Sequence, residues 1–221
     1  LLFSVRDIDI PFIEQVRLNT FDQYIKSLPD KESDVVMISI DEPTLEKLGQ
    51  YPFPRHTYAQ MISDLRNANA GIIGITVMYP EADRFGGDEV FTSWVKDNGI
   101  VLASTSSQKG LESVAPHVGT ATLGNGDATT FAYRYNSVVN NIHSKSSDGV
   151  GMLSSSPEVD GSVRRIPLVI SVNNKLYPSF GMETVRVMAN KKSYTMKVEE
   201  TGIEINRYYI LEISADLKDR Q

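Results

Sequence analysis

Apolar residues follow two different periods in the first part of the chain, and the change between them predicts the first elements. From Pro11 to Leu28 they recur three and four residues apart, which predicts a long amphipathic helix with Pro11 near its first turn. From Val35 to Ile40 the chain is instead a continuous apolar run, rich in β-branched residues and bounded by charge. Such a run is typical of a strand that is buried on both faces, as in a parallel sheet.

Helical and strand-like segments continue to alternate as far as Ser104. A short helix is predicted from Pro43 to Leu48, with Gly49 as its C-cap. The longer predicted segments are a helix over 55–69, a strand over 72–79, a helix over 88–96 and a strand over 100–104. Strand, helix and strand of these lengths predict a right-handed crossover unit within a largely parallel sheet.

The second half of the chain has a weaker pattern. Residues 105–149 are rich in Ser, Thr, Gly and Asn, and we expect surface loops there with one or two strands. Further along we expect strands over 150–154 and 162–172 joined by a turn at Asp160-Gly161, a helix over 178–188, and a closing hairpin of 194–198 and 202–205. The predicted fold class is therefore α/β: a central, largely parallel or mixed sheet flanked by helices, with a long N-terminal amphipathic helix.

Charge and residue content narrow the class of protein. Lys and Arg number 22 against 28 Asp and Glu, so the net charge is −6, and there is no basic stripe of the kind that nucleic-acid partners require. The absence of cysteine excludes disulfides and cysteine metal sites. Apolar runs such as 71–79 are far shorter than the roughly 20 residues of a membrane helix, so we expect no spanning segment within this chain.

Candidate chemistry centres on Asp41 and Glu42, which directly follow the predicted first strand. Pro52 and Pro54 predict an extended segment that ends where Arg55 starts a helix, and a cation in the first turn opposes the helix macrodipole. Asp41 or Glu42 is the nearest acid to compensate it. Two interpretations stay open: Asp41 caps the next helix and pairs with Arg55, or both acids and Arg55 line a ligand crevice.

The crevice interpretation adds residues from the edge where the predicted strands end. Thr76, Tyr79 and Asp83 would converge there on Asp41, with Arg55 returning over the same edge. A small polar or anionic molecule suits this set, with Arg55 as its charge partner and Tyr79 as a wall. The ligand-binding candidates are Asp41, Glu42, Arg55, Thr76, Tyr79 and Asp83, and the ligand itself is unknown.

An enzymatic alternative uses Asp41, Glu42 and Asp83 around a divalent metal, as in a hydrolase or phosphoesterase. The sequence disfavours it, because His56, His117 and His143 lack ligand spacing and no base can be nominated. No glycine-rich phosphate loop follows a strand, and no cofactor or metal is expected.

Adjacent arginines at 164 and 165 provide a further prediction. Neighbouring residues on a strand point to opposite faces, so one of the two guanidinium groups is expected to turn inward and to need an acid. Asp160 is close in sequence to Arg164, and Asp41 is a second possibility. We therefore expect two structural ion pairs, Asp41 with Arg55 and Asp160 with Arg164.

These residues resemble a known family. The segments Asp34 to Pro43, Leu48-Gly49, Pro52 to Arg55, and Leu65 with Ala70 to Ile75 form one ordered pattern that resembles the type-two CHASE domain, an extracellular sensory module of bacterial cyclases, histidine kinases and diguanylate cyclases. A second block, Val159 to Leu168, is similar to the later motif of that family, and Arg17 with Phe21-Asp22 resembles its leading helix. Thr76 stands where the family usually has an acid, and Tyr51 and Phe53 displace the Trp that the family usually has between the Gly and the Pro-x-Pro-Arg segment.

The resemblance implies a periplasmic or extracellular sensor without enzymatic activity, which passes a conformational change to a cytoplasmic output domain. It implies that residues 1–28 form a membrane-proximal helix and that 29–221 form a single extracytoplasmic sensory domain. Membrane helices are expected before residue 1 and after residue 221, in an inner-membrane protein. A homodimer is expected because such receptors usually signal as dimers.

Overall fold

The computed structural model describes residues 11–29, 33–109, 115–123, 126–198 and 209–211. The chain divides into two compact units. The first consists of Leu1–Gln50 together with Ser156–Arg165, and the second of Tyr51–Ser155 together with Ile166–Gln221.

Among the described residues of the first unit there are two helices, both predicted from the sequence. Helix α1 spans Pro11–Ser27, and α2 spans Glu42–Leu48. Gly49 ends α2 with a φ of 94°, in the region that glycine adopts without steric cost. Leu18 of α1 is buried, whereas all the apolar side chains of the predicted stripe are exposed, namely Ile13, Val16, Phe21, Tyr24, Ile25 and Leu28.

The prediction of a buried strand over Val35 to Ile40 is wrong. The segment forms no strand, and Val36 and Met37 are 82% and 87% exposed. A strand requires a second backbone to bond with, and none within the described ranges pairs with this one. The predicted crossover unit therefore lacks its first strand.

One sheet of the second unit is built around its longest strand, β2. The strands are β1 (Ile73–Ile75), β2 (Ile100–Ser107), β5 (Ser137–Val139) and β6 (Gly149–Met152). β2 pairs in parallel with β1 and with β6, and its C-terminal part pairs antiparallel with β5. Helices α3 (Arg55–Asn67) and α4 (Asp88–Val95) belong to the same unit as this sheet, and their bounds are close to the predicted ones. β1 is shorter than the strand predicted over 72–79.

The other strands of the second unit form two smaller mixed sheets. One joins β3 (Thr120–Leu123), β9 (Tyr194–Val198) and β10 (Tyr209–Leu211); the other joins β4 (Tyr133–Tyr135), β7 (Val169–Val172) and β8 (Lys175–Pro178). Two further helices, α5 (Ala128–Phe131) and α6 (Phe180–Met188), belong to this unit. The predicted strand over 202–205 lies outside the described residues.

The predicted hairpin between residues 150–154 and 162–172 is also wrong. β6 pairs with β2, while β7 forms its hairpin with β8. The turn of that hairpin is Asn173-Asn174, and both residues have positive φ, 51° and 59°. This conformation matches the right-handed twist of β7 and β8, the two strands that the turn joins. The turn predicted at Asp160-Gly161 does not join paired strands.

Close packing of α6 on the first sheet shows where the core of the second unit lies. β2 is fully buried from Ile100 to Ala103. A Cβ atom on Gly151 of β6 would lie 2.4 Å from the Cα of Phe180, at the start of α6. The observed class is α/β with mixed sheets flanked by helices, as predicted.

Candidate functional site

A cluster of buried rings lies where α3, α4 and the segment after β1 meet within the second unit. Tyr58 comes from α3, Phe91 from α4, and Tyr79 and His143 from loops. The centroids of Phe91 and His143 are 4.8 Å apart, those of Tyr79 and Phe91 5.1 Å, and those of Tyr58 and Tyr79 5.3 Å. All pack edge to face, the favoured geometry of aromatic rings. Burial raises the pKa of the Tyr58 and Tyr79 hydroxyls, which therefore stay protonated.

Arg55 places its guanidinium against this cluster. The group lies 4.1 Å above the centroid of Tyr79, and its Nη2 donates to the carbonyl oxygen of Glu81 at 2.9 Å. Its Nε is 3.6 Å from Oδ1 of Asp88. Because the residue is only 8% exposed, these contacts replace most of the water that a guanidinium would otherwise bind.

Asp83 organises the start of α3 from a distant loop. Its Oδ2 accepts from the backbone N–H of Arg55 at 2.8 Å and of Gly87 at 3.1 Å, and its Oδ1 accepts from that of Phe85 at 3.0 Å. Burial raises the pKa of the Asp83 carboxyl, but these three backbone hydrogen bonds together outweigh it and hold the pKa below its usual value.

The carboxylate of Asp88 contacts Asp83, Arg55 and His143. Its Oδ2 accepts from the backbone N–H of Asp83 at 2.6 Å, and its Oδ1 lies 3.0 Å from Nε2 of His143. The other imidazole nitrogen, Nδ1, is 2.8 Å from the hydroxyl of Thr92. Burial lowers the pKa of His143, and the Asp88 carboxylate opposes this shift without cancelling it.

Of the ligand-binding candidates, the structure brings Arg55, Tyr79 and Asp83 together in the second unit. Thr76 directly follows β1 and is exposed. Asp41 and Glu42 belong to the first unit. The ion pair between Asp41 and Arg55 stays a prediction.

Asp41 is the N-cap of α2. Its Oδ1 accepts from the backbone N–H of Thr44 at 3.1 Å and from the Thr44 hydroxyl at 2.6 Å. These hydrogen bonds, the one to the hydroxyl foremost, lower the pKa of the Asp41 carboxyl. Glu42 is exposed in the first turn of α2, where an acid suits the helix macrodipole.

Two carboxylates hold Arg164 within the first unit. Asp160 accepts from Nη1 and Nη2 at 2.9 and 2.6 Å, and Asp22 of α1 accepts from Nε and Nη2 at 2.8 and 2.7 Å. The Arg164 side chain is 9% exposed, whereas that of Arg165 is 72% exposed and lies 3.7 Å from Glu158. The hydrogen bonds from Arg164 lower the pKa of both Asp22 and Asp160.

Sequence reasoning missed Asp88, Thr92 and His143 as residues that contact the cluster of buried rings or belong to it. His143 was considered only as a metal ligand, and its contact with Thr92 spans 51 positions, which no local pattern indicates. A weaker signal was available in the spacing of Asp88 and Thr92, since residues four apart on a helix share a face.

The metal-dependent hydrolase alternative requires a cluster of carboxylate or imidazole ligands. No group of three or more such side chains that could hold a metal ion occurs in the part of the chain that the structure describes. The ionisable side chains around the cluster of buried rings contact one another and backbone amides instead.

The fold and these contacts define an α/β domain with a buried cluster of aromatic rings, Arg55, Asp88 and His143. The family model of the CHASE2 domain matches residues 1–217, and the chain therefore belongs to the CHASE2 domain family. The CHASE2 domain is an extracellular sensory domain of signalling receptors, not a catalytic one. No match was found among curated proteins or among solved structures. Within the described ranges, no helix has the length and apolar content to cross a membrane.

Proposed function

We propose that this chain is the extracytoplasmic sensory domain of a bacterial transmembrane receptor that controls a cytoplasmic cyclase, histidine kinase or diguanylate cyclase. The observation that carries the proposal is the family match over residues 1–217. The domain has no catalytic role in this proposal: it senses a stimulus on the periplasmic or extracellular side and is anchored through membrane helices that flank it.

The topology of the full-length protein tests this proposal. Residues 1–221 contain no cysteine. In a full-length protein from which any other cysteine has been removed, a cysteine at the exposed Glu81 is expected to react with a membrane-impermeant maleimide in intact spheroplasts. A cysteine placed in the output domain is the matched control and should react only after lysis. A cytosolic reading frame without membrane helices would contradict the proposal.

The proposed stimulus is a small polar or anionic molecule that binds at Arg55, Tyr79, Asp83 and Thr76 of the second unit. Asp41 and Glu42 of the first unit stay predictions from the sequence. Arg55 and Tyr79 support the proposed stimulus, because a cation against an aromatic wall suits such a ligand. Asp88 already lies beside Arg55, so an anionic ligand has to compete with a carboxylate.

A thermal-shift screen of small metabolites tests this site. A metabolite that raises the melting temperature of the natural chain should lose its effect on Thr76→Trp, because in this proposal a bulky ring at position 76 obstructs the site. Stabilisation that survives this substitution would place the ligand elsewhere.

We also propose a parallel homodimer through α1. Its exposed apolar side chains, among them Phe21 and Tyr24, suit a contact with α1 of a second copy. Membrane anchoring would favour the contact by raising the effective concentration of the two copies.

Disulfide cross-linking in the membrane-bound protein tests the dimer. Asn19→Cys, at an exposed position of α1, is expected to cross-link, and Leu18→Cys, at the adjacent buried position, is the matched control. If no exposed position around α1 cross-links, this interface is excluded.

A further inference from the structure

We propose that the second unit is a proton-responsive switch, in which protonation of His143 strengthens the contact between the carboxylate of Asp88 and the imidazole ring and weakens its contact with Arg55. This inference names a stimulus for the sensory function proposed above, and its physiological meaning rests on that function. The switch itself depends only on residues of this unit, so the isolated chain is sufficient to test it.

The geometry places Asp88 between two basic groups. Oδ1 lies 3.0 Å from Nε2 of His143 and 3.6 Å from Nε of Arg55. All three atoms are buried, and none has a hydrogen bond of good geometry. The contact is therefore mainly electrostatic, and a proton added to the ring changes it directly.

The groups that face His143 come from each element packed around it. Asp88 and Thr92 of α4 contact the imidazole, Tyr79 after β1 packs against it edge to face, and Arg55 of α3 lies near enough to oppose its protonation. The Asp83 carboxylate accepts from the N–H of Arg55. One permanent cation thus lies among two carboxylates. With neutral His143 the carboxylates outnumber the cation by one, and protonation of the ring balances the charges.

Protonation of His143 reverses the direction of its hydrogen bond with Thr92 and strengthens its contact with Asp88. A neutral ring with its proton on Nε2 accepts at Nδ1 from the hydroxyl of Thr92, 2.8 Å away. The imidazolium carries a proton on both nitrogens, so Thr92 has to accept instead of donate. Asp88 then faces a full positive charge at its shorter contact, and its attraction to Arg55 competes with that charge.

The change reaches the first turns of two helices. Asp88 lies at the start of α4, and its Oδ2 holds the backbone N–H of Asp83. Asp83 in turn caps α3 through the N–H of Arg55. A shift of the Asp88 carboxylate therefore alters the contacts that position both helix starts.

The pH window follows from the burial of His143. An exposed histidine has a pKa of about 6.5, and burial lowers the pKa of this one. The neutral ring is thus the favoured form at neutral pH, and the switch operates on the acidic side of about pH 6.5.

The experiment is a pH titration of the whole chain that follows two signals. Imidazole resonances in NMR spectra report the protonation of His143, and fluorescence of Trp94, the single tryptophan, reports on α4. We expect His143 to titrate below about pH 6.5 and the Nε–H resonance of Arg55 and the Trp94 emission to change with the same midpoint.

Matched histidine variants identify the residue whose protonation causes the fluorescence change. His56→Gln and His117→Gln replace exposed histidines and should keep the fluorescence response, whereas His143→Gln should lose it. A response that persists in His143→Gln, with its midpoint unchanged, would overturn the proposal. So would a natural chain in which His143 titrates while the Arg55 resonance stays constant, a result that needs no variant to fold.

Discussion

The backbone N–H of Arg55 donates to the carboxylate of Asp83 at 2.8 Å, so α3 receives its N-terminal cap from a residue 28 positions further along the chain. The residue before Arg55 is Pro54, which has no side-chain acceptor to offer. The cap therefore links the start of a helix to the folding of a distant loop.

Asp83→Ala should lower the free energy of unfolding by about 1–2 kcal/mol, the usual cost of removing a helix cap. Urea denaturation measures the loss. Glu81→Ala is the control, because its exposed side chain is removed while its backbone carbonyl still accepts from Arg55. Equal stability of the two variants would show that the cap contributes nothing.

The lowered pKa of Asp83 predicts how acid changes the stability of the folded chain. Its pKa is lower in the folded chain than the ordinary value of about 3.8, so the folded state binds the proton more weakly than the unfolded state. Its contribution is present above about pH 4 and is lost as the pH falls through the folded value. The difference in stability between the natural chain and Asp83→Asn, measured in urea, should therefore shrink below about pH 4.

The buried pair of Glu183 and Arg186 should be sensitive to loss of one partner. Glu183 is fully buried; its Oε1 accepts from Nη2 of Arg186 at 2.8 Å, and the hydroxyl of Tyr194 donates to its Oε2. Glu183→Gln leaves a buried guanidinium without its counter-charge, and we expect a loss of about 3 kcal/mol. Replacing Glu183 and Arg186 together by leucine should cost less than the single change, and a larger cost would refute this account.

Gly151 on β6 and Gly181 on α6 should respond to alanine in opposite directions. At Gly151 a Cβ would lie 2.4 Å from the Cα of Phe180, a backbone atom that cannot move aside, so Gly151→Ala should destabilise by about 1–3 kcal/mol. At Gly181 in α6 nothing lies within 4 Å of the Cβ position, and alanine should stabilise by roughly 0.5–1 kcal/mol. Thermal unfolding of the two variants distinguishes these outcomes.

The adjacent arginines provide a comparison within the first unit. Lysine cannot reproduce the paired hydrogen bonds that Arg164 gives to Asp22 and Asp160. Arg164→Lys should therefore speed proteolytic cleavage within α1, while Arg165→Lys, at an exposed side chain, should leave the rate unchanged. Identical cleavage of both variants would mean that Arg164 does not hold α1.

Five of the six described helices were predictable because their signals are local, whereas the short α5, in a segment where we expected loops and strands, was not. Asp41 and Gly49 mark both ends of α2, and the start of α4 at Asp88 was placed correctly. The segment from Val35 to Ile40 carries a strand-like composition, but pairing depends on a partner that composition does not specify. The contact between His143 and Asp88 depends in the same way on how distant segments fold together, so residue types alone did not indicate it.

The pair of Asp22 and Arg164 has a consequence for the order of events during synthesis. The two residues are 142 positions apart, and at about 5–20 residues per second the ribosome needs roughly 7–30 s to add the second after the first. During that interval α1 has neither Arg164 nor the rest of the 156–165 segment to bind. The helix therefore acquires this stabilising contact only after the whole stretch of chain between the two residues has been synthesised.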